Sequence, residues 1–188
     1  MDRYSRSIIL GSVLVLGVAL LALAAALVVP FNVAQPATVR GFNGEAELIR
    51  ASGVPKPVRN DRDARINLSP GQGVRLQPDS TATLTFELDQ GFAVIRGPAE
   101  LKLVESYRRA TALGHLLDSS RFSRSYVLTV QQTQGGARYN FAHTMPRFED
   151  VTVTVQLPSG NYIPTTPCWE IVIGTDGATT ARSVECSA

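Results

Sequence analysis

Metal-binding and nucleophilic residues are scarce in this sequence: two cysteines, two histidines, two methionines and one tryptophan among 188 residues. His115 and His143 sit in separate segments with no HExxH, CxxC or CxxCH context, so no metal site and no haem attachment is expected. There is no G-x-S-x-G elbow and no G-x-x-x-x-G-K-[ST] phosphate loop. The carboxylates fall singly on alternating stretches, so no catalytic pair can be picked out. No catalytic residue, cofactor or small-molecule substrate is therefore expected. Excess charge is lacking too. The formal charge is +2, and from Asn32 onward sixteen basic residues face fifteen acidic ones, which leaves no electrostatic footprint for nucleic acid.

One segment lacks charge altogether. Ser7 to Val29 reads SIILGSVLVLGVALLALAAALVV, and about twenty such residues span a hydrocarbon core of roughly 30 Å. The sequence predicts a single transmembrane helix at 7–29, with Arg3 and Arg6 holding a cytoplasmic tail at 1–6 and the rest of the chain periplasmic or extracellular. A cleaved signal peptide is the competing reading, because Ala22-Leu23-Ala24 has the small residues of a cleavage site; the apolar run, however, continues beyond it. On a helix Gly11, Val15, Ala19, Ala22 and Ala26 fall near one face, a small-residue stripe that would let a second helix approach closely. The alternative is that alanine and glycine are simply common in apolar segments.

After the helix, Pro30 and Pro36 favour an extended tether over 30–38. Long 3.6-residue periodicity is absent beyond it, and valine, threonine, leucine and glycine dominate, so 39–188 is expected to be one all-β domain. Strands are predicted from Val39 to Ile49 and at Ala64–Leu68, Gly73–Leu76, Ala82–Leu88, Phe92–Ile95 and Ala99–Val104. Turn chemistry separates them at Ser69-Pro70-Gly71, Gln77-Pro78-Asp79-Ser80, Asp89-Gln90-Gly91 and Gly97-Pro98. Gly135-Gly136 reads as a further hairpin turn. Short strands at this spacing indicate a β-sandwich, a jelly roll or a short β-solenoid.

Three runs carry a family likeness: Ile66-Asn67-Leu68-Ser69-Pro70-Gly71-Gln72-Gly73-Val74, Pro78-Asp79-Ser80-Thr81-Ala82-Thr83-Leu84-Thr85-Phe86, and Gly97-Pro98-Ala99-Glu100-Leu101-Lys102-Leu103. Together they resemble the core of a FecR-type extracytoplasmic domain, and Val127–Val130, Gly135–Phe141 and Val151–Val153 resemble the strands that follow in that family. The resemblance implies a periplasmic β-domain in a membrane-spanning regulator that senses an outer-membrane transporter and controls a sigma factor. Six residues, Met1 to Arg6, are too few for a sigma-binding module, so the signalling role is the alternative here.

Two further features bear on partners. Residues 105–126 look like an insertion in which Ala110 to Leu117 could make two helical turns. Arg108, Arg109, Arg121 and Arg124 supply positive charge for docking on an acidic surface, or else the segment is a solvated loop over a sheet edge. Cys168 and Cys186 bracket a strand, an Asp176-Gly177 turn and a returning strand, Thr179 to Val184; in an oxidising compartment they are expected to pair, the alternative being buried free thiols. If the hairpin loop has an odd residue count centred on Gly177, from which the cysteines are equidistant, they face each other, whereas a two-residue Asp-Gly turn would place Cys168 opposite Glu185. The function expected from these readings is a non-catalytic, membrane-anchored accessory or scaffold subunit of a larger complex, such as a respiratory or photosynthetic electron-transport assembly. Its partners would be other integral or extracytoplasmic subunits.

Overall fold

The computed structural model describes residues 3–58, 65–86, 91–111, 123–144 and 150–186. Two compact units emerge, one formed by residues 1–32 and 109–123, the other by 33–108 and 124–188. In the first, helix α1 runs Arg3–Val28. Alanine, leucine and the absence of proline before Pro30 favour that helix, and proline ends it. The membrane-spanning expectation at Ser7–Val29 is nevertheless corrected. Among the described residues no helix is long and apolar enough to cross a membrane.

The second unit is all-β, as expected. The strands are β1 (Phe31–Ala34), β2 (Ala37–Asn43), β3 (Ala46–Ile49), β4 (Pro55–Val58), β5 (Ile66–Leu68), β6 (Gly73–Leu76), β7 (Thr81–Phe86), β8 (Gly91–Ala110), β9 (Ser123–Asn140), β10 (Asp150–Leu157), β11 (Gly160–Tyr162), β12 (Cys168–Ile173) and β13 (Thr179–Ser183). The tether expected at 30–38 thus contains β1 and the start of β2. The single strand expected from Val39 to Ile49 is two, because the chain turns at Gly44, whose φ is +96°.

Two long strands organise the rest. The first half of β8, Gly91–Arg96, pairs antiparallel with β7, and Ala99–Lys102 pairs with β6. On β9, Ser125–Gln131 runs parallel to β10, while Gly135–Asn140 pairs antiparallel with β12. Each long strand therefore changes neighbours midway. The sheet order β11-β10-β9-β8-β6-β3-β4 carries β7, β2 and β5 as one branch and β12 and β13 as another. Folding over at the midpoints gives two leaves that close on one core, which holds Leu84 and Phe86 from β7, Leu76 from β6, Ile95 and Leu101 from β8, Leu128 from β9 and Val155 from β10.

The midpoints are the places where local sequence misleads. Gly97-Pro98 and Gly135-Gly136, predicted as turns, lie inside β8 and β9 as bends. Both bends are tight. A Cβ on Gly97 would collide with the Gln77 carbonyl oxygen, and one on Gly135, where φ is +80°, with that of Pro98. Burial also changes phase along these strands. On β8 the inward residues are odd-numbered through Leu103, but Ser106, Arg108 and Ala110 are the buried ones after Val104-Glu105, as an extra residue in the ladder would produce.

Four aromatic rings hold the β12 side of the core. Trp169 stacks between Tyr139 and Phe141, with ring centroids 5.2 and 5.3 Å away, and Phe141 stacks on Phe86 at 5.6 Å. Such pairs add about 0.5–1.5 kcal/mol each beyond area burial. Beside them runs a buried polar chain. The Tyr139 hydroxyl donates to Gln132 Oε1 at 3.0 Å, and Gln132 Nε2 donates to the Gly135 carbonyl at 2.8 Å. Gln132 thus ties the bend of β9 to the aromatic column.

Candidate functional site

Three places in this fold present something other than a self-satisfied core. The first is α1. Val13, Leu14, Val15 and Leu16 are 64–68% exposed, and four consecutive helical residues, 100° apart, point in nearly every direction. Leu20, Leu21 and Leu23 are exposed as well, at 59–73%. Of the predicted packing stripe, Val15, Ala19 and Ala22 are exposed, and the side chains of Gly11 and Ala26 are outside the described set. Exposure does not single out the stripe, since the leucines opposite it are equally bare.

The second is a cleft of about 420 Å³ at the joint bend of β8 and β9. Arg96, Pro98, Gln134 and Gly135 form one side, and Val172 with the β12–β13 turn forms the other. Five of its lining residues are glycines. Val172 is 45% exposed, and the cleft offers a guanidinium, amides and hydroxyls but no acid–base pair. That arrangement can hold a chain or a small polar group; it has no means of activating a nucleophile.

The third is the outer face of β9, β12 and β13. The ladder sets Arg138 opposite Glu170 and Glu170 opposite Arg182. Arg182 closes on Glu170 at 2.6 Å from Nη2 and 3.0 Å from Nε, while Arg138 donates to the Glu185 carbonyl at 2.7 Å. A second ion row crosses the other leaf, where Arg75 lies between Glu100 at 2.8 Å and Glu47 at 3.4 Å. Its guanidinium is held above its ordinary range, first by the hydrogen bond and charge of Glu100 and then by Glu47. Sequence reasoning found neither row, because each is assembled by register between strands far apart in the chain. Only the polar parity of Glu47, Arg75 and Glu100 hinted at a shared face.

The other expected site residues are dispersed. Arg108 is buried, at 8% exposure, on the shifted phase of β8, whereas Arg109 is exposed. Arg121 lies outside the described residues, and Arg124 is on β9 with its side chain outside them. Ala110, expected to open two helical turns, ends β8, and residues 112–120 lie outside the described set. His143 is exposed, and His115 also lies outside the description. Burial among the rings pushes the Tyr139 phenol far above its ordinary range, so it stays protonated as the Gln132 donor.

The cysteines do pair. Cys168 and Cys186 are bonded, with Cα atoms 5.4 Å apart. The register differs from both expectations, however. Ile173 faces Thr179 across a five-residue loop, 174–178, so Cys168 lies opposite Val184, which donates its amide to the Cys168 carbonyl at 3.1 Å. Cys186 reaches back diagonally from beyond the strand.

Comparison with protein-family models, curated proteins and solved structures finds no match. The FecR-type resemblance therefore rests on the residues quoted above, which fall on or beside β5 to β10.

Proposed function

We propose that this chain is a non-catalytic subunit of a larger protein assembly, with the β-domain as a rigid interaction scaffold and α1 as an element covered by partner helices. The observation that carries the reading is the apolar surface of α1 over Val13–Leu23, bare in every direction. A helix apolar all round is stable in water only where something else covers it. The β-domain, in contrast, buries its own apolar side chains and needs no cover to fold. The Cys168–Cys186 disulfide supports an oxidising, extracytoplasmic location for that domain. A FecR-like origin of β5 to β10 is compatible with such a module.

The test places a photo-crosslinking residue at Leu16 or at Leu21 of the full chain in its native source. The expected outcome is crosslinking from both positions into the same partner protein in stoichiometric yield. Crosslinks to lipid alone, or to no protein at either position, would overturn the subunit reading.

A further inference from the structure

The edges of this sheet are not alike, and the difference can be read from hydrogen-bond parity. Among the described residues strand β4 pairs only with β3, setting Pro57 opposite Glu47 and Pro55 opposite Ile49. Proline has no N–H, so Lys56 and Val58 supply the inward donors, and the outward side of β4 carries no donor at 55 or 57. That edge is closed to a further strand. Strands β5 and β11 have three residues each and offer too short a ladder.

Strand β13 is the opposite case. Gly174 donates to Ala178, and Val184 to Cys168, so the even-numbered residues of β13 turn their backbone groups toward β12. By the alternation of an antiparallel ladder, Thr179, Ala181 and Ser183 turn theirs outward, and among the described residues β13 has no other strand neighbour. No proline interrupts it. Thr180 to Ser183 are exposed on both faces, and the disulfide to Cys168 fixes the end of the strand in place. A preformed edge of this kind is a template for strand addition.

We propose that β13 is a docking edge for an extended, acidic segment of a partner protein, added as an antiparallel strand. Charge complementarity chooses this occupant. Across β9, β12 and β13 the outer face reads Arg138, Glu170, Arg182, an alternation that stops on a cation at the edge. Because Arg182 turns its backbone inward, the residue opposite it in an added strand forms a non-hydrogen-bonded pair, where side chains lie closest. A carboxylate there continues the alternation, while a second copy of β13, which contains no acid, does not. The surface goes beyond the reading of α1 and does not depend on what covers that helix.

The probes are two short capped peptides of alternating threonine and valine, one with a central glutamate and one with a central lysine, titrated into the full disulfide-bonded chain. The glutamate peptide is expected to bind about two- to fivefold more tightly, the range of a cross-strand ion pair, and to slow amide exchange at Thr179, Ala181 and Ser183. Ala181→Pro removes one outward donor and leaves the pairing with β12 intact; it should weaken binding about two- to tenfold, the effect of one hydrogen bond. Arg182→Glu should reverse the preference toward the lysine peptide, which tests the edge even if the proline variant fails to fold. Equal binding of both peptides, no binding of either, or unchanged binding to Ala181→Pro would overturn the proposal. Concentration-dependent dimerisation that is lost in Ala181→Pro would overturn it in favour of a second copy.

Discussion

The two legs of the β12–β13 hairpin differ in almost every respect except their hydrogen bonding. In β12, Cys168, Trp169, Ile171 and Ile173 are buried, and in β13 no residue is. Both legs share one ladder of five residue pairs. Backbone pairing alone therefore does not decide where a strand belongs; the side chains of β12 attach it to the core, and β13 is carried by β12. Stability should be concentrated on one leg and availability for binding on the other.

The sharpest way to break the comparison is Trp169→Ala. It removes the ring stacked on both Tyr139 and Phe141 and should cost about 3–5 kcal/mol, as large-to-small core changes do. Thr180→Ala on the exposed leg should stay within about 0.5 kcal/mol, the ordinary range for surface positions. Denaturant midpoints of the two variants check this, and equal losses would mean that β13 is as deeply anchored as β12.

Cys186→Ser comes next. The bond spans 18 positions and ties the exposed end of the chain to buried Cys168, so the loop-entropy account gives about 3 kcal/mol. Amide exchange should speed up across Thr179–Ser183 far more than across Trp169–Ile173. Uniform acceleration would show that the legs open as one unit.

How much of this arrangement could be read beforehand varies with the range of the interaction. The hairpin and the cysteine pairing were legible, because local turn chemistry and two lone cysteines leave few alternatives; the turn itself centres on Thr175-Asp176, one residue before the expected Asp176-Gly177. Partner register was not. A loop of five residues moves Cys168 from Cys186 to Val184, and no residue in 174–178 announces that length. The bends at Gly97-Pro98 and Gly135-Gly136 have turn composition, yet each long strand finds new neighbours beyond its bend and continues. Arg108 was expected outside and is buried because the inward phase of β8 changes at Val104-Glu105, a change with no sequence signature. The apolar run was legible as a helix but not as a membrane span.

A smaller effect concerns the polar chain under the hairpin. Tyr139→Phe removes the donor to Gln132 Oε1 and leaves that oxygen unpartnered in the core, at a cost of about 1–3 kcal/mol. The phenol is also a pH sensor for the fold. Its pKa is raised in the folded state, so the folded chain keeps a proton that the unfolded chain releases above about pH 10. The stability it contributes is fully present below that pH and is lost as pH rises through the alkaline range. The Phe variant should show a shallower alkaline decline than the parent in unfolding titrations, and parallel declines would remove Tyr139 as the cause.

Arg182→Ala is also expected to change little, and it separates the two roles assigned to β13. The side chain of Arg182 is 70% exposed and that of Glu170 25%, so solvent screens the pair despite its short contacts. Exposed ion pairs contribute about 0–1 kcal/mol, and salt weakens them further. Thermal unfolding of Arg182→Ala should therefore lie close to the parent. At high salt the two should coincide, because the core contacts of Trp169 and Ile171 remain and the hairpin ladder is untouched. A loss as large as that of Cys186→Ser would mean that Arg182 holds β13 onto the domain. In that case the charge at the edge would be structural, and the contrast between an anchored leg and an available one would fail.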